Sequence, residues 1–190
     1  MKKKVLVVLG HPDAESFNAD IYKTFMENID REKYDVETLE LGKMKFDPVL
    51  RFGYRKFMKP DEDIEKSQKL VKWAEHIVFI YPIWWSSMPS LLKGWLDRVL
   101  TPGFAYNMKG AGSEKHLTGR TAELLVTCGA PTFFYKFLDR SPIKLMGKHI
   151  LGTCGIEVNK VMICGKANAL SDEDRTKYLE KVAEEARKDR

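Results

Sequence analysis

The sequence predicts an α/β chain: a doubly wound, five-stranded parallel sheet with helices on both faces. Three observations carry this reading. Residues 5–9 (Val-Leu-Val-Val-Leu) are a continuous apolar run, the mark of a strand buried on both faces. Further strand-type runs at 35–41, 77–81, 124–126 and 161–164 alternate with stretches of helical periodicity. Between them, Met88, Leu91, Leu92, Trp95, Leu96, Val99 and Leu100 fall on one helical stripe.

Each element has a local reason. The first run breaks at Gly10-His11-Pro12-Asp13, and a helix follows over 19–28, with Ile21, Phe25 and Ile29 along its inner face. Ser16 or Asn18 caps that helix, a role compatible with contacting an anion at the helix start. The second strand, 35–41, is less apolar and belongs at or near an edge. Residues 42–60 read as an irregular, aromatic-rich connection, and 62–75 as a helix with Ile64, Leu70, Val71 and Ala74 inward. The strand at 77–81 is expected to stop at Pro82. A loop at 82–87 carries Trp84 and Trp85, which serve either as packing bulk or as walls for a flat ligand. Residues 101–119 read as loop. A helix is expected over 141–152, with Pro142 in its first turn. Ser171-Asp172-Glu173-Asp174 is a capping box for the last helix.

The totals bound the function. With 190 residues, 44% of them hydrophobic and 31% charged, the chain fits a single domain over 1–190. Lys+Arg 32 against Asp+Glu 27 leaves +5, but the charges are scattered and only Lys2–Lys4 form a run. No basic stripe or nucleic-acid module accompanies them, so no nucleic-acid partner is expected. Cys128, Cys154 and Cys164 are odd in number and lack metal-type spacing, so reduced thiols and no metal are expected. Neither a signal-type segment nor a run of membrane-spanning length is present, so the expectation is a cytoplasmic protein without membrane insertion.

In a doubly wound sheet, ligands bind where loops leave the C-terminal ends of the strands. That rule gathers 10–18, 82–87 and 127–135 at one crevice, and these are the polar or aromatic loops of the chain. Neither G-x-G-x-x-G nor G-x-x-x-x-G-K-[ST] occurs, which argues against a dinucleotide fingerprint and a P-loop.

On these residues the sequence resembles the NAD(P)H:quinone oxidoreductase family, the flavodoxin-like group that includes DT-diaphorase. The resemblance rests on His11 with Ser16-Phe17-Asn18, Phe46-Asp47-Pro48, Tyr81-Pro82-Ile83-Trp84-Trp85, Pro89 to Trp95, Gly103 to Tyr106 and Thr127 to Ala130, in order over roughly residues 4–165. It implies a flavoprotein oxidoreductase, a homodimer that uses NAD(P)H as co-substrate and a quinone or similar acceptor. It also implies that His11, Ser16, Phe17 and Asn18 hold the flavin phosphate. Ile83, Trp84, Trp85 and Ser86 would border the ring, with the indoles walling the pocket. Thr127, Cys128, Gly129 and Ala130 would meet the ring's far edge, and Tyr135 would match a catalytic tyrosine. Two departures stand out: no histidine follows Tyr135 in 136–141, and Ala130-Pro131 replaces a glycine-rich turn. The chain stops soon after its last helix, whereas longer relatives carry a tail that encloses the site. Its length is similar to the bacterial flavoproteins that assist potassium efflux, which favours FMN over FAD. That similarity leaves two alternatives: a flavin-binding regulatory subunit of such a transporter, and a non-catalytic flavodoxin-like module, for which no steady-state NAD(P)H oxidation is expected.

Overall fold

The computed structural model describes residues 1–110 and 112–190. In chain order it begins β1 (Lys3–Leu9), α1 (Phe17–Asn28), β2 (Tyr34–Glu40), a short 3-10 turn (Leu41–Lys43) and α2 (Glu62–Trp73). Next come β3 (His76–Ile83), α3 (Ser90–Val99), β4 (Tyr106–Lys109), β5 (Gly112–Lys115) and β6 (Arg120–Cys128). The chain closes with α4 (Ser141–Lys144), α5 (Gly152–Cys154), β7 (Ile156–Cys164) and α6 (Asp172–Ala186).

The five long strands form one parallel sheet in the order β2-β1-β3-β6-β7, with β2 and β7 at its edges. Successive side chains point to opposite faces, so the continuous apolar runs feed two layers at once. Val5, Val7, Leu9, Val78, Ile80 and Leu125 pack against Ile21 and Phe25 of α1 and Val182 and Ala186 of α6. Leu6, Val8, Phe79, Tyr81, Leu124 and Val126 pack on the other face, against Ile64 and Val71 of α2 and Leu92, Trp95, Leu96 and Val99 of α3. The α3 stripe is therefore buried as its spacing requires, and the Trp95 indole N–H is satisfied by the buried Ser67 hydroxyl at 3.0 Å.

Three expectations need correction. β3 does not stop at Pro82 but pairs on to Ile83, with Pro82 opposite Thr127. Ile80 points its carbonyl toward β1, where it accepts from Gly10 N–H at 2.8 Å, and residue 82 faces the same side. Since β1 has already ended, the missing Pro82 N–H costs the sheet nothing. Second, the expected loop over 101–119 contains an antiparallel hairpin, β4–β5, pairing Tyr106 with Lys115 and Lys109 with Gly112. Its strands are short and largely exposed, so no apolar alternation marks them. Third, the helix expected over 141–152 is only partly α: a π-helical stretch, Leu145–Leu151, joins α4 to α5. The run ends at Gly155, whose φ of +97° suits a residue without a Cβ.

The irregular connection after β2 is tied to α3. Gly94 lets Pro48 approach so closely that an added Cβ would lie 2.5 Å from the Pro48 oxygen. The buried Arg98 guanidinium donates to the Asp47 and Lys59 carbonyls and pairs with Asp61 at 3.0 Å.

Candidate functional site

The strand order reverses at β1 and β3: the chain leaves β1 for β2 on one side and returns to β3 on the other. Loops therefore diverge at their C-terminal ends and leave a crevice. Gly10 opens the first loop, and a Cβ there would meet Leu92 Cδ2 at 2.9 Å, so a bare backbone is needed to pass α3. Ser16 caps α1, its hydroxyl accepting from Ala19 N–H at 3.3 Å and donating to the Asp13 carbonyl at 2.8 Å. The Phe17 and Asn18 amides lie in the first turn, where helix geometry supplies no partner. His11 turns Nδ1 back onto the main chain of Asp13, leaving Nε2 unused by that contact, and burial lowers its pKa from the ordinary value.

The second loop is a two-residue reversal. Trp84 and Ser87 exchange backbone hydrogen bonds at 2.8 and 2.9 Å, while Trp85 and Ser86 both adopt left-handed φ, 49° and 53°. Non-glycine residues there cost about 1–3 kcal/mol each, and such strain tends to collect at functional sites. The turn's own pair of bonds leaves the Trp85 and Ser86 amides unused. Trp84 stands edge-on to His11, with ring centroids 5.3 Å apart. The Trp85 side chain is fully exposed (101%), because the left-handed turn throws it outward. Ile83 is a buried strand residue.

The third segment begins inside β6, since Thr127 and Cys128 are strand residues. Asn18 donates its amide to Thr127 Oγ1 at 2.9 Å, joining the first and third segments. Ser86 Oγ and Tyr135 OH approach to 3.5 Å, joining the second and third. With the His11–Trp84 contact, all three predicted loops touch one another pairwise. Cys128 is buried, its Sγ 3.3 Å from the Ala130 carbonyl, and burial pushes its thiol pKa up.

Two groups of contributors are invisible in the sequence. Lys166 N–H donates to the Ala130 carbonyl and Ala167 N–H to that of Cys128, both at 2.9 Å, and Gly165 N–H reaches Thr132 Oγ1 at 3.0 Å. The segment after β7 thus clamps the 128–132 turn. Arg175, in the first turn of α6, lays its guanidinium over the Phe17 ring at 5.1 Å, and Phe17 in turn packs on Tyr178 at 6.1 Å. The Phe17 side chain is therefore occupied in packing. No local pattern announces these contacts.

The chemistry of the set is clear. At one end stand helix-start amides, the neighbouring Arg175 and the buried Asn18 Oδ1, an acceptor with no partner among the described residues. Toward the other lie an indole and the amides of a strained turn. Donors dominate, which suits a flat ligand carrying an anionic group. Among the described residues no group of three or more His, Cys, Asp or Glu could hold a metal ion, and no helix is long and apolar enough to cross a membrane.

Comparison with known proteins agrees with the residue-level resemblance. A family model described as "Flavodoxin-like fold" matches residues 3–189. A crystal structure of Smu.1420 from Streptococcus mutans is 40% identical, with a TM-score of 0.84 over 97% of this chain and 98% of that one. The mouse ribosyldihydronicotinamide dehydrogenase [quinone] is 31% identical over 153 residues, 70% of this chain; the match spans 66% of the mouse protein, just under two thirds of its length. An NAD(P)H oxidoreductase of Haemophilus influenzae is 27% identical over 94% of this chain and 92% of its own. The chain belongs to the family that the matching model describes, one of flavodoxin-like fold.

Proposed function

We propose that this protein is a flavin-dependent NAD(P)H oxidoreductase acting on a quinone or a similar acceptor. The observation that carries the reading is the pairwise closure of the three loops at the switch point: Asn18 on Thr127, His11 on Trp84, and Ser86 on Tyr135. A flavin held there would supply the hydride chemistry between nicotinamide and acceptor. The protein's part is placement and electrostatics. Ser16, the Phe17 and Asn18 amides and His11 would hold the phosphate, and Arg175 would add positive charge beside it. Backbone groups of Ile83, Trp84, Trp85 and Ser86 would border the ring, with Trp84 as wall. The amides of Thr127, Cys128, Gly129 and Ala130 would meet its electron-rich edge. Tyr135, buried beside Ser86, would offer a proton to the same edge. FMN is the flavin proposed.

The crevice lacks a cover on its aromatic side. Trp84, Trp85, Phe133 and Phe137 are 45%, 101%, 56% and 70% exposed, apolar surface that a second copy of the chain would bury. A homodimer is therefore part of the proposal, and sedimentation or light scattering in solution tests it.

The direct test is the absorption spectrum of the purified protein with identification of any cofactor released on heating. FMN release, bleaching under anaerobic NAD(P)H and recovery with a quinone are expected. A protein that takes up neither FMN nor FAD overturns the reading.

A further inference from the structure

A groove of about 640 Å³ runs along the free edge of β7. It runs between the outer flank of α6 and the segment around Tyr135–Ile143. Its inner lining is apolar and aromatic: Ile143, Val161, Met162 and Leu170, with the rings of Tyr135 and Tyr178. Its polar lining is overwhelmingly cationic. Lys136, Arg140, Lys177 and Lys181 face one carboxylate, Asp174. Lys177 is already matched by Glu173 at 2.5 Å, whereas Lys136, Arg140 and Lys181 have no carboxylate within salt-bridge distance among the described residues.

An apolar lining of this size with a few charged groups of one sign is the usual make-up of a small-molecule pocket. The unmatched cations select the ligand's charge, and the planar Arg140 fork suits an oxyanion bidentately. The aromatic walls select a ring. We propose that this groove is a second ligand site, which takes an aromatic organic anion: a ring system bearing a carboxylate, sulfonate or phosphate. The site is separate from the crevice, and it does not depend on the flavin reading. The two share one wall, because Tyr135 lines the groove while its hydroxyl lies 3.5 Å from Ser86. Thr132, Gly165 and Tyr178 line the groove as well, so its occupancy also reaches the 128–132 turn and the Phe17 ring.

The test is a fluorescence titration of the full chain with anilinonaphthalene sulfonate, alongside uncharged phenylnaphthylamine, each with and without FMN. Hydrogen exchange locates the bound probe. Saturable sulfonate binding, protection of 136–143 and 161–165, and no displacement by FMN are expected. Arg140→Glu and Lys181→Glu should each weaken the sulfonate roughly tenfold, the value of one charge-assisted contact, and leave the neutral ring unchanged. Both residues are exposed, so the fold should survive; Arg140→Gln and Lys181→Gln carry the same expectation with a smaller loss. Equal binding by the variants, displacement by FMN, or protection confined to 82–87 and 127–130 overturns the proposal. Because hydrogen exchange reports the groove directly, a chain that binds no flavin still decides it.

Discussion

Asn18 and Thr127, 109 residues apart in the chain, meet in a 2.9 Å hydrogen bond with both side chains almost fully buried. This bond fixes the start of α1 against the end of β6, and so sets the spacing of two sides of the crevice. Replacing Thr127 by Val keeps the shape but removes the acceptor, leaving a buried amide donor unpaired. The expected loss is about 1–3 kcal/mol of stability, measured by urea unfolding, together with weaker flavin retention. A stability unchanged within error would show that the bond contributes nothing.

Gly165 reports on the opposite side of the same turn. A Cβ there would lie 2.2 Å from Thr132 N and 2.7 Å from the Ala130 oxygen, both backbone atoms that cannot swing aside. Gly165→Ala should therefore displace the 128–132 turn, at a cost of about 1–3 kcal/mol. Flavin affinity should fall further than global stability predicts. Calorimetric titration with FMN beside a thermal melt checks this, and equal FMN affinity in variant and parent counts against the assignment of the turn.

The proposed function makes Tyr135, whose hydroxyl lies 3.5 Å from Ser86 Oγ, a proton donor. Tyr135→Phe keeps the ring and removes the hydroxyl, so kcat should fall about tenfold or more with little change in flavin content. Steady-state quinone reduction measures it. Unchanged turnover would leave Tyr135 a packing residue only.

At the far end of the sheet the buried Glu123 lies against Arg190 and His76. Burial alone would raise the Glu123 carboxyl, but His76 at 3.8 Å and the Arg190 guanidinium at 2.9 Å hold it below its ordinary value of 4.5. A depressed carboxyl contributes stability that is fully present above its unfolded pKa and lost as pH falls through its folded one. Glu123→Gln should therefore flatten the decline in stability below pH 4.5, as seen in urea midpoints against pH. Arg190→Ala should cost about 3–5 kcal/mol near neutral pH, because it strands a buried carboxylate.

The three thiols are buried, and burial pushes those of Cys154 and Cys164 up to about 11. A thiol so far from ionising is a poor nucleophile near neutral pH. The native protein should react slowly with a colorimetric disulfide reagent and release the equivalent of all three thiols once unfolded. Rapid native labelling at Cys128 would instead mark an open path to the crevice.

Much of this was legible in one dimension. The continuous runs at 5–9 and 77–81 announced strands covered on both faces. The α3 stripe announced its buried side, and Ser16 and Ser171 announced two helix starts that their side chains do cap. Such features depend on neighbours within a few residues, so periodicity and capping rules reach them. The crevice followed from a topological rule applied to those elements. What escaped was the continuation through Pro82, the β4–β5 hairpin and the π-helical stretch, where pairing partners or packing override the local signal.

By itself, then, the sequence determined the alternating β/α order, the parallel sheet and the three loops bound to converge, because apolar periodicity and right-handed crossovers leave few other arrangements. Only the tertiary structure decided which side chains meet around the three loops. Trp84 stands against His11 and Trp85 turns away, since two left-handed residues sit at that turn. Arg175 and the 165–167 clamp join these loops from beyond β7. The basic groove on the β7 edge was likewise decided there, because its walls come from segments far apart in the chain. The physical reason is range: periodicity and capping act over single turns, whereas a site is an agreement in space between residues that meet only after the sheet has closed.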